Sequence, residues 1–200
     1  MKSYYIYKAF RRIFWKITTI IDKLRTFIIF WGNNVHYHDF TTNGIPYIVV
    51  SNSGKCSIGR HFTMNNKLSS GAVRRCNFFV GLGAELIIGD HVGISAMTIG
   101  SCKKIVIGNH VIIGIGVCIF DSDFHSLDPN LRANDINDSK KAMKKVIIED
   151  NVFIGAYSII LKGVTIGKNS IVGAGSVVRE SIPPNQIWAG NPAKFIIEIF

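Results

Sequence analysis

From Val146 to Val178 an aliphatic side chain returns at every sixth position: Ile148, Ile154, Ile160, Ile166, Val172 and Val178. Two residues before each stands a small or β-branched partner, namely Val146, Val152, Ser158, Val164, Ser170 and Ser176. A helix gathers its apolar residues at spacings of three and four, so this spacing excludes one. Residues i−2 and i share one face of an extended strand. The rest of each six must turn the chain, and Gly155, Gly167 and Gly173 follow three of the aliphatics, where the turn needs backbone freedom. A short strand and a turn, repeated, wind a coil with an aliphatic inner wall. That is the signature of a hexapeptide solenoid of the parallel β-helix class.

The same phase runs earlier. Ile58, Met64, Ser70, Cys76, Leu82, Ile88 and Ile94 are six apart, with Cys56, Phe62, Leu68, Arg74, Val80, Leu86 and Val92 two before them. Arg74 breaks the pattern and marks a bulge or a rim. After a slip of one residue, Ile107, Ile113 and Ile119 resume the phase with Ile105, Val111 and Val117. Residues 54–119 therefore read as about four coils, preceded by an irregular lead-in over 32–53. Residues 120–145 are polar, carry no inward phase and read as a loop leaving the coil, where function often sits. Pro183, Pro184, Gly190 and Pro192 end the solenoid, and the last residues form a short helix or strand.

The first 31 residues follow a different rule. Ile6, Phe10, Ile13, Phe14, Ile17, Ile20, Ile21, Leu24 and Ile28 recur at helical spacing among seven basic residues and one acid, Asp22. The longest uncharged stretch is too short to span a bilayer. Two readings stand side by side: a helix packed on the coil or on a neighbouring subunit, and an interfacial anchor on anionic lipid. The chain thus divides into an N-terminal amphipathic helical segment, residues 1–34, and a coil domain, residues 35–200, with the loop inserted at 120–145.

Composition narrows the function classes. The net charge of +10, from 23 basic and 13 acidic residues, suits an anionic partner, but no nucleic-acid motif is present. Cys56, Cys76, Cys102 and Cys118 form no C-x-x-C pair; Cys56, Cys76 and Cys118, in or next to the inward phase, read as reduced core thiols in a reducing compartment. No signal peptide of ordinary form is visible, which gives a cytoplasmic expectation, with the inner face of the cytoplasmic membrane as the site of any lipid contact. His36, His38 and Asp39 read as surface groups, since no third ligand stands near. His91, His110 and His125 are too widely spaced in sequence to favour one metal. No metal is expected.

The stretches IGNHVIIGIGVCIFDSDFHS (107–126), IIEDNVFIGAYSIILKGVTIGKNSIVGAGSVV (147–178) and IPPNQIWAGNPAK (182–194) together resemble the hexapeptide-repeat acyltransferases. Within them, bacterial polysaccharide and sugar O-acetyltransferases are most similar. The likeness runs from about residue 54 onward. It implies an all-β, left-handed parallel β-helix, usually a homotrimer with active sites between subunits, and acetyl-CoA as acyl donor. The left hand comes from the resemblance alone, because parallel crossovers in general favour the right.

Site residues follow from the same resemblance. His125, in DSDFH, is the expected base, since imidazole titrates in the working range; Asp123, two residues earlier, is a candidate to fix its tautomer. An ordinary loop histidine is the alternative. The resemblance places cofactor contacts on Ala156, Ala174, Arg179 and Lys194, with the Ala156 N–H facing the oxyanion. Plain coil packing and solvated charge are the competing explanations. Trp188 either stacks on adenine or caps the last coil. Ser95, Asp128 and Arg132 are candidates to touch the acceptor. The implied activity is transfer of acetyl to a sugar hydroxyl in surface-polysaccharide synthesis (capsule, exopolysaccharide or O-antigen). The alternatives are N-acetylation of an amino sugar and a non-catalytic scaffold.

Overall fold

The computed structural model describes residues 2–67, 75–133 and 141–199. Of the expected inward positions, Leu68, Ser70 and Arg74 lie outside these residues. A helix, α1 (Lys2–Gly32), leads into a coil whose strands stack into three sheets. The first sheet holds β1 (His36–Tyr37), β4 (Lys55–Ile58), β7 (Glu85–Ile88), β10 (Lys104–Ile107), β13 (Val146–Ile148) and β16 (Thr165–Ile166). The second holds β2 (Phe40–Asn43), β5 (Phe62–Asn65), β8 (Gly93–Ser95), β11 (Ile112–Ile113), β14 (Phe153–Ile154), β17 (Ile171–Val172), β19 (Gln186–Gly190) and β20 (Ala193–Glu198). The third holds β3 (Tyr47–Val50), β6 (Asn77–Val80), β9 (Thr98–Ser101), β12 (Cys118–Phe120), β15 (Ile159–Ile160) and β18 (Val177–Val178).

From β4 to β19 each strand pairs in parallel with the strand one coil earlier, so like positions sit on like. Ile105 lies between Leu86 and Val146, and Ile107 between Ile88 and Ile148. The resulting inner columns are dry, since every aliphatic of the 148–178 series is buried. Burial of each such side chain is worth about 2 kcal/mol, and this stacking replaces a layered core. The serines among the partner positions are buried too, and their hydroxyls are used inside the wall. Ser158 Oγ lies 2.8 Å and 3.0 Å from the Gly155 and Gly173 carbonyls, and Ser170 Oγ donates to Pro183 O at 2.7 Å. A serine there closes a corner by hydrogen bonding.

The structure corrects the sequence reading in three places. Residues 36–50 are no irregular lead-in; β1, β2 and β3 make a full first coil. Residues 54–119 hold three coils, β4 to β12, not four. Leu82 points outward at 77% exposure. Here Phe78 and Val80 are the inward residues, and Gly83 at φ +66° makes a turn that puts Leu82 at its tip. The slip in phase falls at Ala96, which adopts φ +39° between the inward residues Ile94 and Ile99. The chain end is a strand, β20, antiparallel to β19.

Helix α1 meets the coil near its end, where Ile29 packs against the core and Ile20, Leu24 and Phe27 line an open groove with Tyr37, His38 and Phe40. Asp22, Thr26 and Phe30, one turn apart, are buried there. Phe30 packs on Tyr37 and Phe40, and Asp22 Oδ2 accepts from the Gly44 N–H and pairs with Lys67.

Candidate active site

Three corners separate the sheets. The corner from the third sheet back to the first carries the loop. After β12 the next inward-parity residue is Asp121, one coil on from Ser101 in the same column. It is fully buried. Its Oδ1 accepts from the Cys102 N–H at 2.7 Å, and its Oδ2 from the Lys103 and Lys104 N–H groups at 2.8 Å and 2.7 Å and from Ser101 Oγ at 3.1 Å. Three amides and a hydroxyl satisfy the buried charge and lock the loop base onto the preceding coil. Burial pushes the neighbouring Cys102 thiol up from its usual range.

The loop then leaves as an antiparallel clasp. Ser122 bridges Met143, Asp123 N–H donates to Ala142 O at 3.1 Å, and Lys144 N–H donates to Asp121 O at 2.9 Å. Ser122 Oγ accepts from the Phe124 N–H at 3.0 Å, and Phe124 takes φ +61°. The Phe124 ring meets Phe120 edge-on at 5.3 Å above Gly100, where an added Cβ would lie 3.0 Å from both rings. Phe124 is therefore pinned, and His125, the next residue, is presented at the surface.

Asp123 differs from its expected role. The i, i+2 alternation that would put it on the face of His125 holds only for extended chain, and the left-handed Phe124 breaks it. Asp123 Oδ1 instead pairs with Lys162 of the next coil at 2.6 Å, while among the described residues its buried Oδ2 has no hydrogen-bond partner. Asp128 and Arg132 are likewise turned to local work. Asp128 caps α2 (Pro129–Arg132), its Oδ1 accepting from the Asn130 N–H at 2.9 Å. Arg132 Nη1 donates to the Ser126 carbonyl at 2.9 Å.

The corner from the second sheet to the third is built differently. Gly114, Gly155 and Gly173 form a column, each overlaid by an alanine of the following coil. A Cβ on Gly114 would meet the Ala156 backbone N at 2.6 Å, one on Gly155 the Ala174 N at 2.5 Å, and one on Gly173 the Ala189 Cβ at 2.7 Å. Glycine is required by this close approach, and alanine leaves a shallow track outside. Among the described residues no acceptor takes the N–H of Ala156 or Ala174, although those of Gly155, Tyr157, Gly173 and Gly175 are all used. Ser95 stands in the same column below Gly114, its Oγ accepting from Asn65 Nδ2 at 3.4 Å. Lys194 stands near its top, opposite Ala189 in the β19–β20 pair. Arg179 is on the other corner, after β18, exposed and 3.5 Å from Glu180.

The expected site residues therefore fall into two sets. Ser95, Ala156, Ala174 and Lys194 share one corner; His125, Asp123, Asp128, Arg132 and Arg179 share the next. A face of about five extended residues, roughly 16 Å, separates them. Asp121 and Lys162 were missed by sequence reasoning. Asp121 left a signal, an acid two residues after Ile119 in the inward phase; Lys162 left none. The remaining corner stacks His61 on His91 and His91 on His110, at 4.5 Å and 4.7 Å. These rings are exposed, and among the described residues no three His, Cys, Asp or Glu side chains gather as a metal-holding group.

Comparison with known proteins agrees with the repeat. The family described as bacterial transferase hexapeptide (six repeats) matches residues 145–180. A galactoside O-acetyltransferase of Lactococcus lactis is 44% identical over 96 residues, 48% of this chain and 44% of that protein. The solved hexapeptide-repeat acetyltransferase of Vibrio cholerae is 35% identical, with a TM-score of 0.53 over 57% of this chain and 63% of that one. A galactoside acetyltransferase solved with coenzyme A is 28% identical, with a TM-score of 0.55 over 83% of this chain and 64% of that one. The chain spans about half the length of the curated relatives it matches. The three-sheet coil of sixes, the repeat match and these likenesses make the chain similar to the bacterial hexapeptide-repeat transferases, over residues 145–180 most directly.

Proposed function

We propose that this protein transfers acetyl from acetyl-CoA to a sugar hydroxyl in the synthesis of a bacterial surface polysaccharide. It acts on the cytoplasmic side, as a homotrimer of left-handed coils with its active sites between subunits. The observation that carries this reading is the split of the site over two corners. Proton transfer needs heavy atoms about 3 Å apart, and roughly 16 Å separates the two sets within one protomer. Side by side, two copies related by a three-fold axis bring the loop corner of one against the glycine–alanine corner of the next.

In that crevice the His125 imidazole takes the proton of the acceptor hydroxyl as its oxygen attacks the thioester carbonyl. The carbonyl oxygen becomes an oxyanion, and the open N–H of Ala156 from the neighbouring copy donates to it. Collapse of the tetrahedral species breaks the C–S bond, and the imidazolium returns its proton to the departing sulfur. The shallow track past Ala156 and Ala174 lets the pantetheine chain lie along the backbone. Lys194 at its upper end, and Arg179 of the copy that supplies His125, provide positive charge for the phosphates. Asp123 and Lys162 hold the loop base, with Asp128 and Arg132 shaping the acceptor side from within.

The named activities of the Lactococcus lactis relative and of the coenzyme A complex support O-acetylation of a sugar. The test is thiol release from acetyl-CoA with a panel of neutral and amino sugars. An alkali-labile ester product supports the reading. An alkali-stable amide formed only on amino sugars, or no turnover with any acetyl acceptor, contradicts it.

A further inference from the structure

Helix α1 is docked to its own coil by the wrong face for a core helix. The buried stripe of Asp22, Thr26 and Phe30 is mostly polar. At about 100° per residue, Phe10, Ile13, Ile17, Ile20, Leu24 and Ile28 lie on the opposite side, within an apolar arc roughly 140° wide. All six are more than half exposed, from 51% to 72%, and the arc carries none of the charged side chains described on α1.

The charge on the helix is one-sided. Lys8, Arg11, Arg12, Lys16, Lys23 and Arg25 are all exposed. The one acid, Asp22, is turned into the body and paired with Lys67. Lys16 and Lys23 border the arc on one edge and Arg25 on the other. Trp31 lies in the arc at 78% exposure, an indole suited to a headgroup boundary. No helix among the described residues is long and apolar enough to cross a bilayer.

We propose that α1 lies in the plane of an anionic bilayer surface, with its apolar arc among the acyl chains and its basic flanks against acidic headgroups. An apolar face bordered only by cations is complementary to such a surface. A second copy of α1 set against the arc would bring like charges together instead. The Asp22–Lys67 and Phe30 contacts fix the helix to the first coil, so the whole β-coil is held at the membrane by its N-terminal end. This inference stands apart from the acetyl-transfer reading.

The test uses the full chain and sucrose-loaded vesicles, of phosphatidylcholine alone or with phosphatidylglycerol at about 30 mol%. The expected result is about tenfold stronger sedimentation with the anionic vesicles, weakened by salt, and a blue shift of tryptophan emission as Trp31 leaves water. Combined Phe10→Ser, Ile17→Ser and Leu24→Ser substitution should lower sedimentation about tenfold, and Lys16→Glu with Lys23→Glu should abolish the preference for anionic lipid. Thermal melting of the variants checks that the coil is intact. Absence of wild-type binding to anionic vesicles overturns the proposal. So does binding that the triple substitution leaves unchanged, or a triple substitution that breaks the oligomer, which would make the arc a subunit contact. Thiol release with a soluble sugar, measured on the same samples, reports separately on acetyl transfer.

Discussion

Mixing two dead variants tests whether each site draws on two copies. His125→Ala removes the base at the loop corner. Ala174→Trp fills the track at the other corner; Ala174 is exposed, so the indole extends outward and leaves the wall intact. Each variant alone should fall by about 10²- to 10⁴-fold, the range for losing a general base or its positioned substrate. Co-expressed one to one, they should form mixed trimers under the proposed three-fold assembly. A functional site then needs an intact loop from one copy and an intact track from the next, each with probability one half. About a quarter of all sites should be whole, and thiol release should recover to about a quarter of the wild-type rate. Were both corners to serve one protomer's own site, no copy would hold both, and the mixture would stay at the level of its parents. That result would refute the intersubunit site. Variants expressed apart and combined afterwards provide the baseline.

Asp121→Ala should unlatch the loop. It strands three amides that now share a buried carboxylate, a local cost of about 3 kcal/mol. Hydrogen exchange should rise at the amides of Cys102, Lys103 and Lys104 while Ile148 and Ile154 stay protected; uniform exchange across the coil would contradict the latch. The buried thiols should impose a pH dependence. Burial pushes Cys56 up to about 12 and Cys76 to about 11. A folded pKa above the unfolded value leaves stability intact below about pH 9 and removes it as pH rises toward 11 and 12. Urea midpoints should therefore fall through that window, and less so in Cys56→Ala measured against its own value at pH 8. A flat profile would place Cys56 outside the wall.

The sixes from Val146 to Val178 were legible because every coil there uses corners of one length, so periodicity and geometry coincide. Legibility failed where corners differ. At Gly81–Gly83 a turn of different shape moves the inward pair to Phe78 and Val80 and throws Leu82 out, although its hydrophobicity and phase favoured the inside. The first coil was missed because β1, β2 and β3 are joined by corners that break the sixfold count. Of the candidate site, Ala156 and Ala174 came from the family resemblance alone, and the glycine column they overlie appears only in the fold. The partners of the loop were not. Asp121 reaches amides 17 to 19 residues earlier, and Lys162 reaches Asp123 across 39 residues. Such contacts join successive coils at one corner, and a local pattern encodes neither the coil length nor the detour between them. The orientation of α1 was hidden for a related reason. An amphipathic pattern shows two faces, and only the buried Asp22, Thr26 and Phe30 show which one meets the coil.

The most direct test is the steady-state rate of His125→Ala with the acceptor on which wild type forms an ester. The account predicts that kcat falls at least about 10²-fold while the Kd for coenzyme A, proposed to lie along the other corner, stays within about twofold of wild type. A variant that keeps the full wild-type rate with that acceptor would contradict the assignment of His125 as the base and, with it, the direct-attack mechanism.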